Sequence, residues 1–189
     1  MPVEQKQGRV KAVPPSEIIL AGRFRDALAV CVREHGSALG RYCMAVLGNQ
    51  LEAEEALQQT LGMAYDAMPF WEGQGKVRTW LFGLARRICI QRVEARISQP
   101  PGPAYSGDPN DEGAMTEESA RKIKRARTVR QMLSRLKPAE RDVVILRYQS
   151  GLSYAEIADI SGIEEMELRR QASRALLRLR EFVKALKSE

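Results

Sequence analysis

Arg169, Arg170, Gln171, Ser173, Arg174 and Arg178 fall on one side of a segment whose Leu168, Ala172, Ala175, Leu176 and Leu179 recur at helical spacing. Arginine and glutamine hydrogen-bond base edges in a DNA major groove, and arginine also neutralises phosphate, so this is the composition of a recognition helix. The bland alternative is the solvated face of an ordinary helical hairpin, against which the turn, capping box and small-residue spacing occur together upstream. A second group of cations, Lys76, Arg78, Arg86, Arg87, Arg92 and Arg96, is interleaved with Phe70, Trp71, Trp80 and Phe82. Rings that stack on bases, with cations that hold phosphates, suit single-stranded DNA. The aromatics alone would also serve as core.

Catalytic chemistry has no comparable support. Glu52, Glu54, Glu55 and Asp66 share a helical segment, but no histidine, lysine or glycine-rich loop converges on them, and exposed helix acids are common. His35 is the one histidine, and no nearby residues complete a metal site or a triad. Cys31, Cys43 and Cys89 are odd in number and form no CxxC pair, which points to buried thiols rather than a disulfide framework or zinc. The expectation is a protein that is not an enzyme, with no catalytic residue, metal or cofactor.

The elements that must position these groups can be read in order. Pro138 suits the first position of a helix that buries Ala139, Val143, Val144, Leu146 and Tyr148 and stops at Gly151. Ser153 and Glu156 form a capping box at the start of a short helix through Ile160, and Gly162 makes the turn into the arginine-rich helix. Ala158 is the small residue and Ile157, Ile163 and Leu168 the apolar residues that a helix-turn-helix needs at those spacings. Upstream, helices are expected over Glu17 to Arg33, Ser37 to Leu47, Leu51 to Met68 and, after a loop from Pro69 to Gly75, Lys76 to about Ile97. No strand pattern occurs, so the fold class is all-α.

Charge divides the chain further. The net charge is +6, yet Glu17 to Gly75 and Ser98 to Ser119 are acidic while Lys76 to Arg96 and Arg121 to Arg147 are basic. Two separate basic segments imply two contacts with a polyanion. The expected organisation is a polar, flexible stretch over 1–16, a helical domain over 17–97, a breaker-rich acidic linker over 98–119, and a helix-turn-helix domain over 120–189. Charges interrupt every apolar run well short of a membrane span, and Met1 to Val13 lacks the apolar core of a secretory signal, so a cytoplasmic location without membrane insertion is expected.

Both halves together resemble the extracytoplasmic-function sigma factors of bacterial RNA polymerase. Glu34-His-Gly-Ser-Ala-Leu-Gly-Arg-Tyr42, Leu47-Gly-Asn49, Ala53-Glu-Glu-Ala-Leu-Gln-Gln-Thr60 and Val77-Arg-Thr-Trp-Leu-Phe-Gly-Leu-Ala-Arg86 are similar to that family's region 2. Leu136-Lys-Pro-Ala-Glu-Arg141, Leu146-Arg-Tyr148 and Gly151-Leu-Ser-Tyr-Ala-Glu-Ile-Ala158 are similar to its region 4. The resemblance implies that Glu52, Glu55, Gln58 and Gln59 dock on core polymerase. It implies that Phe70, Trp71, Gly73, Gln74, Lys76, Arg78, Trp80, Arg86, Arg87 and Gln91 melt and hold the minus-ten element. Capturing an unstacked base offsets the cost of unstacking it, so no nucleotide hydrolysis is required.

Ser153, Glu167, Arg169, Arg170, Gln171, Ser173 and Arg174 would read the minus-thirty-five element as duplex. The linker would pass through the polymerase near the RNA exit path, and an anti-sigma factor is an implied partner besides core polymerase and promoter DNA. Two departures alter specificity. Arg87 and Gln91 stand where the family often has Asn and Asp, so the minus-ten sequence does not carry over. Glu164, Glu165 and Glu167 crowd the start of the recognition helix, which implies either an unusual minus-thirty-five element, with Glu167 accepting from a cytosine, or weak contact there. Two other readings fit parts of the chain: a helix-turn-helix repressor or activator acting as a dimer, and a degenerate regulator that binds polymerase or an anti-sigma factor without promoter specificity.

Overall fold

The computed structural model describes residues 13–98 and 117–187. The polar N-terminal stretch up to residue 12 and the linker over 99–116 lie outside the described residues. Eight α-helices make up the described part, with no strand among the described residues. They form two helical domains.

In the first, α1 (Pro15–Leu20) begins inside the stretch expected to be flexible, because Pro15 takes the first helical position and is itself buried. The single helix expected over Glu17 to Arg33 instead breaks at Gly22, whose φ of 72° ends α1. α2 (Phe24–Leu47) then runs unbroken through the region where two helices were expected to meet. Gly36 and Gly40 do not interrupt it. They lie within the helix with no positive φ, and a Cβ on Gly40 would stand 3.5 Å from Leu57 Cδ2, an ordinary packing distance, so neither glycine makes a turn here.

Gly48, at φ 74°, closes α2 with its N–H on the Met44 carbonyl, and Asn49 caps α3 (Gln50–Ala67) by accepting from the Glu52 amide at 3.1 Å. A 3₁₀ turn over Met68–Phe70 leads through a loop to α4 (Val77–Ser98). Alanines 53, 56, 64 and 85 line the contacts among α2, α3 and α4, which lets Tyr42, Leu39, Leu81, Phe82 and Ile88 fill the centre.

The second domain holds α5 (Glu117–Ser134), α6 (Pro138–Val144), α7 (Tyr154–Ser161) and α8 (Glu165–Lys187). α6 passes into a π-helical turn over Ile145–Gln149. Ala139 and Tyr148, both expected on the buried face, are exposed, Tyr148 by 56%, while Val143, Val144, Ile145 and Leu146 are buried: nine residues at about 100° each put Ala139 and Tyr148 on opposite sides of a helix, and neither side is the buried one. α7 and α8 form the expected helix-turn-helix. Gly162 turns at φ 69°, the Ser153–Glu156 capping box is complete, and Leu168, Ala172 and Ala175 are buried against Ile157 and Leu152.

Candidate nucleic-acid interface

α4 presents the first cationic surface. Its buried side, Val77, Leu81, Phe82, Ala85, Ile88 and Cys89, faces α2 and α3, which turns Arg87 and Gln91 to solvent and leaves Trp80 half-buried. Trp80 packs on Trp71 with ring centroids 6.5 Å apart, so each aromatic is partly core and partly presented. Phe70 is 82% exposed and Gly73, Gln74 and Lys76 are exposed beside it. Gln74, Lys76, Trp80, Arg86, Arg87 and Gln91 line a cleft of about 660 Å³ whose far wall is Asp159 and Ile160 of α7.

That far wall was not legible in the sequence. The helix-turn-helix lies against the first domain, and acids and carbonyls from it meet the cations of α4. Arg86 Nε donates to Asp142 Oδ2 at 2.6 Å, and the buried Tyr42 hydroxyl donates to Asp142 Oδ1 at 3.1 Å. Burial, with the Asp142 carboxylate alongside, holds the Tyr42 phenol well above its ordinary pKa and so keeps it a donor. Lys76 Nζ and Thr79 Oγ1 donate to Glu156 Oε1 at 3.0 and 3.3 Å. Arg78 donates to the Ser150 and Gly151 carbonyls and lies 5.6 Å from the centre of the Phe82 ring. Gln149 donates to the Arg41 carbonyl at 3.1 Å.

Glu156 serves both domains. Its Oε2 accepts from the Ser153 amide at 2.8 Å and completes the cap of α7, while its Oε1 takes the contacts from α4. Burial pulls its pKa up, but the Ser153 amide, Lys76 and the Ser153 hydroxyl overcome that and bring it down to about 2. A carboxyl depressed in the fold contributes stability that is fully present above its ordinary 4.5 and disappears as the pH falls from there toward about 2. Thermal unfolding followed from neutral pH downward is expected to lose stability in that window. Glu156→Gln flattens this part of the profile.

The arginine-rich face of α8 is exposed as expected, and its cations are already paired. Arg169 reaches Glu165 at 3.2 Å and lies 4.6 Å from the centre of the Tyr154 ring, whose other cationic neighbour is Arg147 at 5.2 Å. Arg170 lies 3.4 Å from Met166 Sδ and 3.9 Å from Glu167. Glu167 accepts from Arg174 at 2.8 Å and Gln171 at 3.3 Å, and these contacts, Arg174 first, hold its carboxyl below the ordinary range. The buried Glu140 of α6 also takes Arg178 at 2.7 Å and Arg174 at 3.7 Å. Ser173 is exposed, whereas Ser153 is committed to the cap.

The acidic face of α3 is also engaged. Arg92 donates to Glu55 at 2.9 Å and Gln59 at 3.2 Å, and Arg96 to Glu52 at 2.5 Å, so three of the four residues expected to dock on polymerase face α4. Gln58 remains exposed. Asp142, Tyr42, Glu140 and Tyr154 carry contacts at these surfaces that the linear pattern did not single out. The capping box was the one local signal, and it marked Glu156 only for its role within α7.

Among the described residues no group of three or more histidine, cysteine, aspartate or glutamate side chains could hold a metal, and no helix is long and apolar enough to cross a membrane. All three cysteines are buried and free, and burial with Glu34 nearby pushes the Cys31 thiol up to about 11.

Two family descriptions match the chain: Sigma-70 region 2 over residues 31–96 and Sigma-70, region 4 over residues 126–179. The chain is 26% identical over 148 residues to the ECF RNA polymerase sigma factor SigW of Bacillus subtilis, covering 74% of this chain and 79% of that protein. It is 30% identical over 150 residues to the ECF RNA polymerase sigma factor SigL of Mycobacterium tuberculosis, covering 78% and 83%. Its fold is similar to CnrH in complex with the cytosolic domain of CnrY, with a TM-score of 0.70 at 21% identity over 90% of this chain and 98% of that one. It is also similar to the sigma factor RpoE in complex with the anti-sigma factor NepR from Bartonella quintana, with a TM-score of 0.61 at 22% identity over 85% and 96%.

Proposed function

Because this chain belongs to the extracytoplasmic-function sigma factors of bacterial RNA polymerase, we propose that its two helical domains, over 17–97 and 120–189, divide promoter recognition between them. It binds core polymerase and promoter DNA and directs initiation of transcription. The observation that carries this reading is the occurrence, in one chain and in order, of both sigma regions on two helical domains that each expose cations.

The loop after α3 and the outward side of α4 hold the melted minus-ten strand. Trp80 and Trp71 offer ring surface, Phe70 and Gln74 line the approach, and Lys76, Arg78, Arg86, Arg87 and Gln91 supply donors for phosphates and base edges. Opening is driven by capture of unstacked bases, so the chain needs no hydrolytic site of its own. α8 enters the major groove of the minus-thirty-five element with Arg169, Arg170, Gln171, Ser173 and Arg174. There Glu167 shapes the arginine face, tying Arg174 and Gln171 into one hydrogen-bonded group. Arg169, stacked on Tyr154, is presented with less conformational freedom to lose. Gln58 and the outer edge of α3, with Glu52, Glu55 and Gln59 behind it, form the polymerase-docking side. The site of action is the cytoplasm, and an anti-sigma factor is a further partner, in keeping with the similar folds found in such complexes.

The test combines the purified chain with sigma-free bacterial core polymerase and transcribes fragmented genomic DNA of the source organism, mapping RNA starts. Discrete starts that share two upstream motifs are expected. No binding to core overturns the reading.

A further inference from the structure

We infer that the buried Glu140 of α6 is a positioning residue for duplex reading: through Arg174 it fixes Glu167, whose remaining carboxylate oxygen accepts from a cytosine amino group in the major groove. This rests on the proposed role of α8. Glu167, Gln171, Arg174 and Arg178 recur at helical spacing, so they form one stripe along α8. Glu140 lies under the far end of that stripe. At 3% exposure in the first turn of α6, it accepts from Arg178 Nη1 at 2.7 Å and has Arg174 Nε at 3.7 Å. A buried carboxylate requires such cations and the start of a helix favours the anion, so Glu140 is a fixed anchor.

From this anchor the contacts pass outward along α8. Arg174 Nη2 donates to Glu167 Oε1 at 2.8 Å, and Gln171 Nε2 donates to the same oxygen at 3.3 Å. The Gln171 amide holds that orientation although its Oε1 is buried without a hydrogen-bond partner among the described residues. Turning it over would set an oxygen against the carboxylate, so Glu167 dictates how Gln171 sits. Glu167 Oε2 is different. Among the described residues its nearest cation is Arg170 Nη1 at 3.9 Å, too far for a hydrogen bond, so this oxygen keeps its lone pairs for a ligand. Glu167 lies in the first turn of α8, and the N-terminal residues of a recognition helix are the ones that contact base edges.

A carboxylate selects among bases by what stands beside each donor. In the major groove guanine shows two acceptors, thymine an acceptor and a methyl group, and adenine an amino group next to the N7 acceptor. Cytosine alone offers a donor with no acceptor beside it, so it is the base that Glu167 Oε2 favours. Arg174, with Nε and Nη2 both facing carboxylates, serves the groove through Glu167 rather than by a base contact of its own.

The experiment binds duplexes of randomised sequence to the full chain in complex with core polymerase and sequences those retained. Wild type is expected to prefer cytosine about tenfold at one position of an enriched motif. Glu167→Gln is expected to move the preference at that position to adenine, which glutamine contacts through N6 and N7. Glu140→Gln keeps an acceptor for Arg178 and drops the charge; it is expected to lose most of the cytosine preference while the rest of the motif stands. A purely structural role would weaken binding to every sequence alike. If Glu140→Gln loses helix by circular dichroism, Arg174→Gln, at an exposed position, is read in the same way. A relaxed cytosine preference then supports the inference, whereas loss of a guanine preference makes Arg174 a direct reader and overturns it. A motif with no position that Glu167→Gln shifts, or uniform weakening by a folded Glu140→Gln variant, overturns this inference and leaves duplex reading by α8 standing. Retention of no motif at all removes both.

Discussion

Replacing Arg87 by alanine is expected to lower promoter opening by the polymerase complex about 10- to 100-fold while leaving the fold and the upstream duplex contact intact. Arg87 is exposed on α4, lines the cleft with Trp80 and Gln91, and has no partner among the described residues, so its loss orphans no acid. A hydrogen bond to a charged group contributes about 1.5–3 kcal/mol, and each 1.4 kcal/mol is about a factor of ten. Permanganate reactivity of unpaired thymines measures opening, and footprinting of the minus-thirty-five region measures duplex binding. Equal losses in both would make Arg87 a general phosphate anchor. No loss in either would remove α4 from the minus-ten contact.

Phe82→Ala is expected to have the largest effect on stability, about 3–5 kcal/mol, enough to lower the melting temperature by roughly 10 °C or more. Phe82 is fully buried, meets Tyr42 edge to face at 5.9 Å and 81°, and supports Arg78 from below. Its removal leaves a cavity where α2 and α4 meet and loosens the ring that positions Tyr42 toward Asp142. Thermal unfolding by circular dichroism measures the loss. Trp80→Ala, at a half-buried position, should cost less, and a reversed order would place the core of this domain elsewhere.

The helix-turn-helix was legible because its instructions are local. Ser153 and Glu156 lie within one turn, Gly162 carries its own backbone preference, and Leu168, Ala172 and Ala175 repeat on one face. The all-α class followed from the same periodicity. Gly36 misled because a glycine that ends a helix and one that continues it have the same letter, and only packing separates them. Ala139 and Tyr148 misled because an apolar letter at the end of a helix was read as core, whereas the buried residues are the central Val143, Val144, Ile145 and Leu146. The acids of α3 read as an outward face, and Glu55, Gln58 and Gln59 are exposed; that Arg92 and Arg96 of α4 pair with them could not be read, because those cations come from another helix. The contact of Tyr42 with Asp142 spans a hundred positions. Nothing in a local window encodes it.

The division of labour within Glu156 also bears on how such a protein could diverge. One oxygen of its carboxylate starts α7, while the other faces Lys76 and Thr79. Glutamine fills the first role nearly as well and drops the charge from the second, and the two codons differ by a single base. A lineage could therefore adjust how firmly its domains adhere without redesigning the module that reads duplex DNA. Contact between the domains and the reading of duplex DNA would then be traits that selection can set independently.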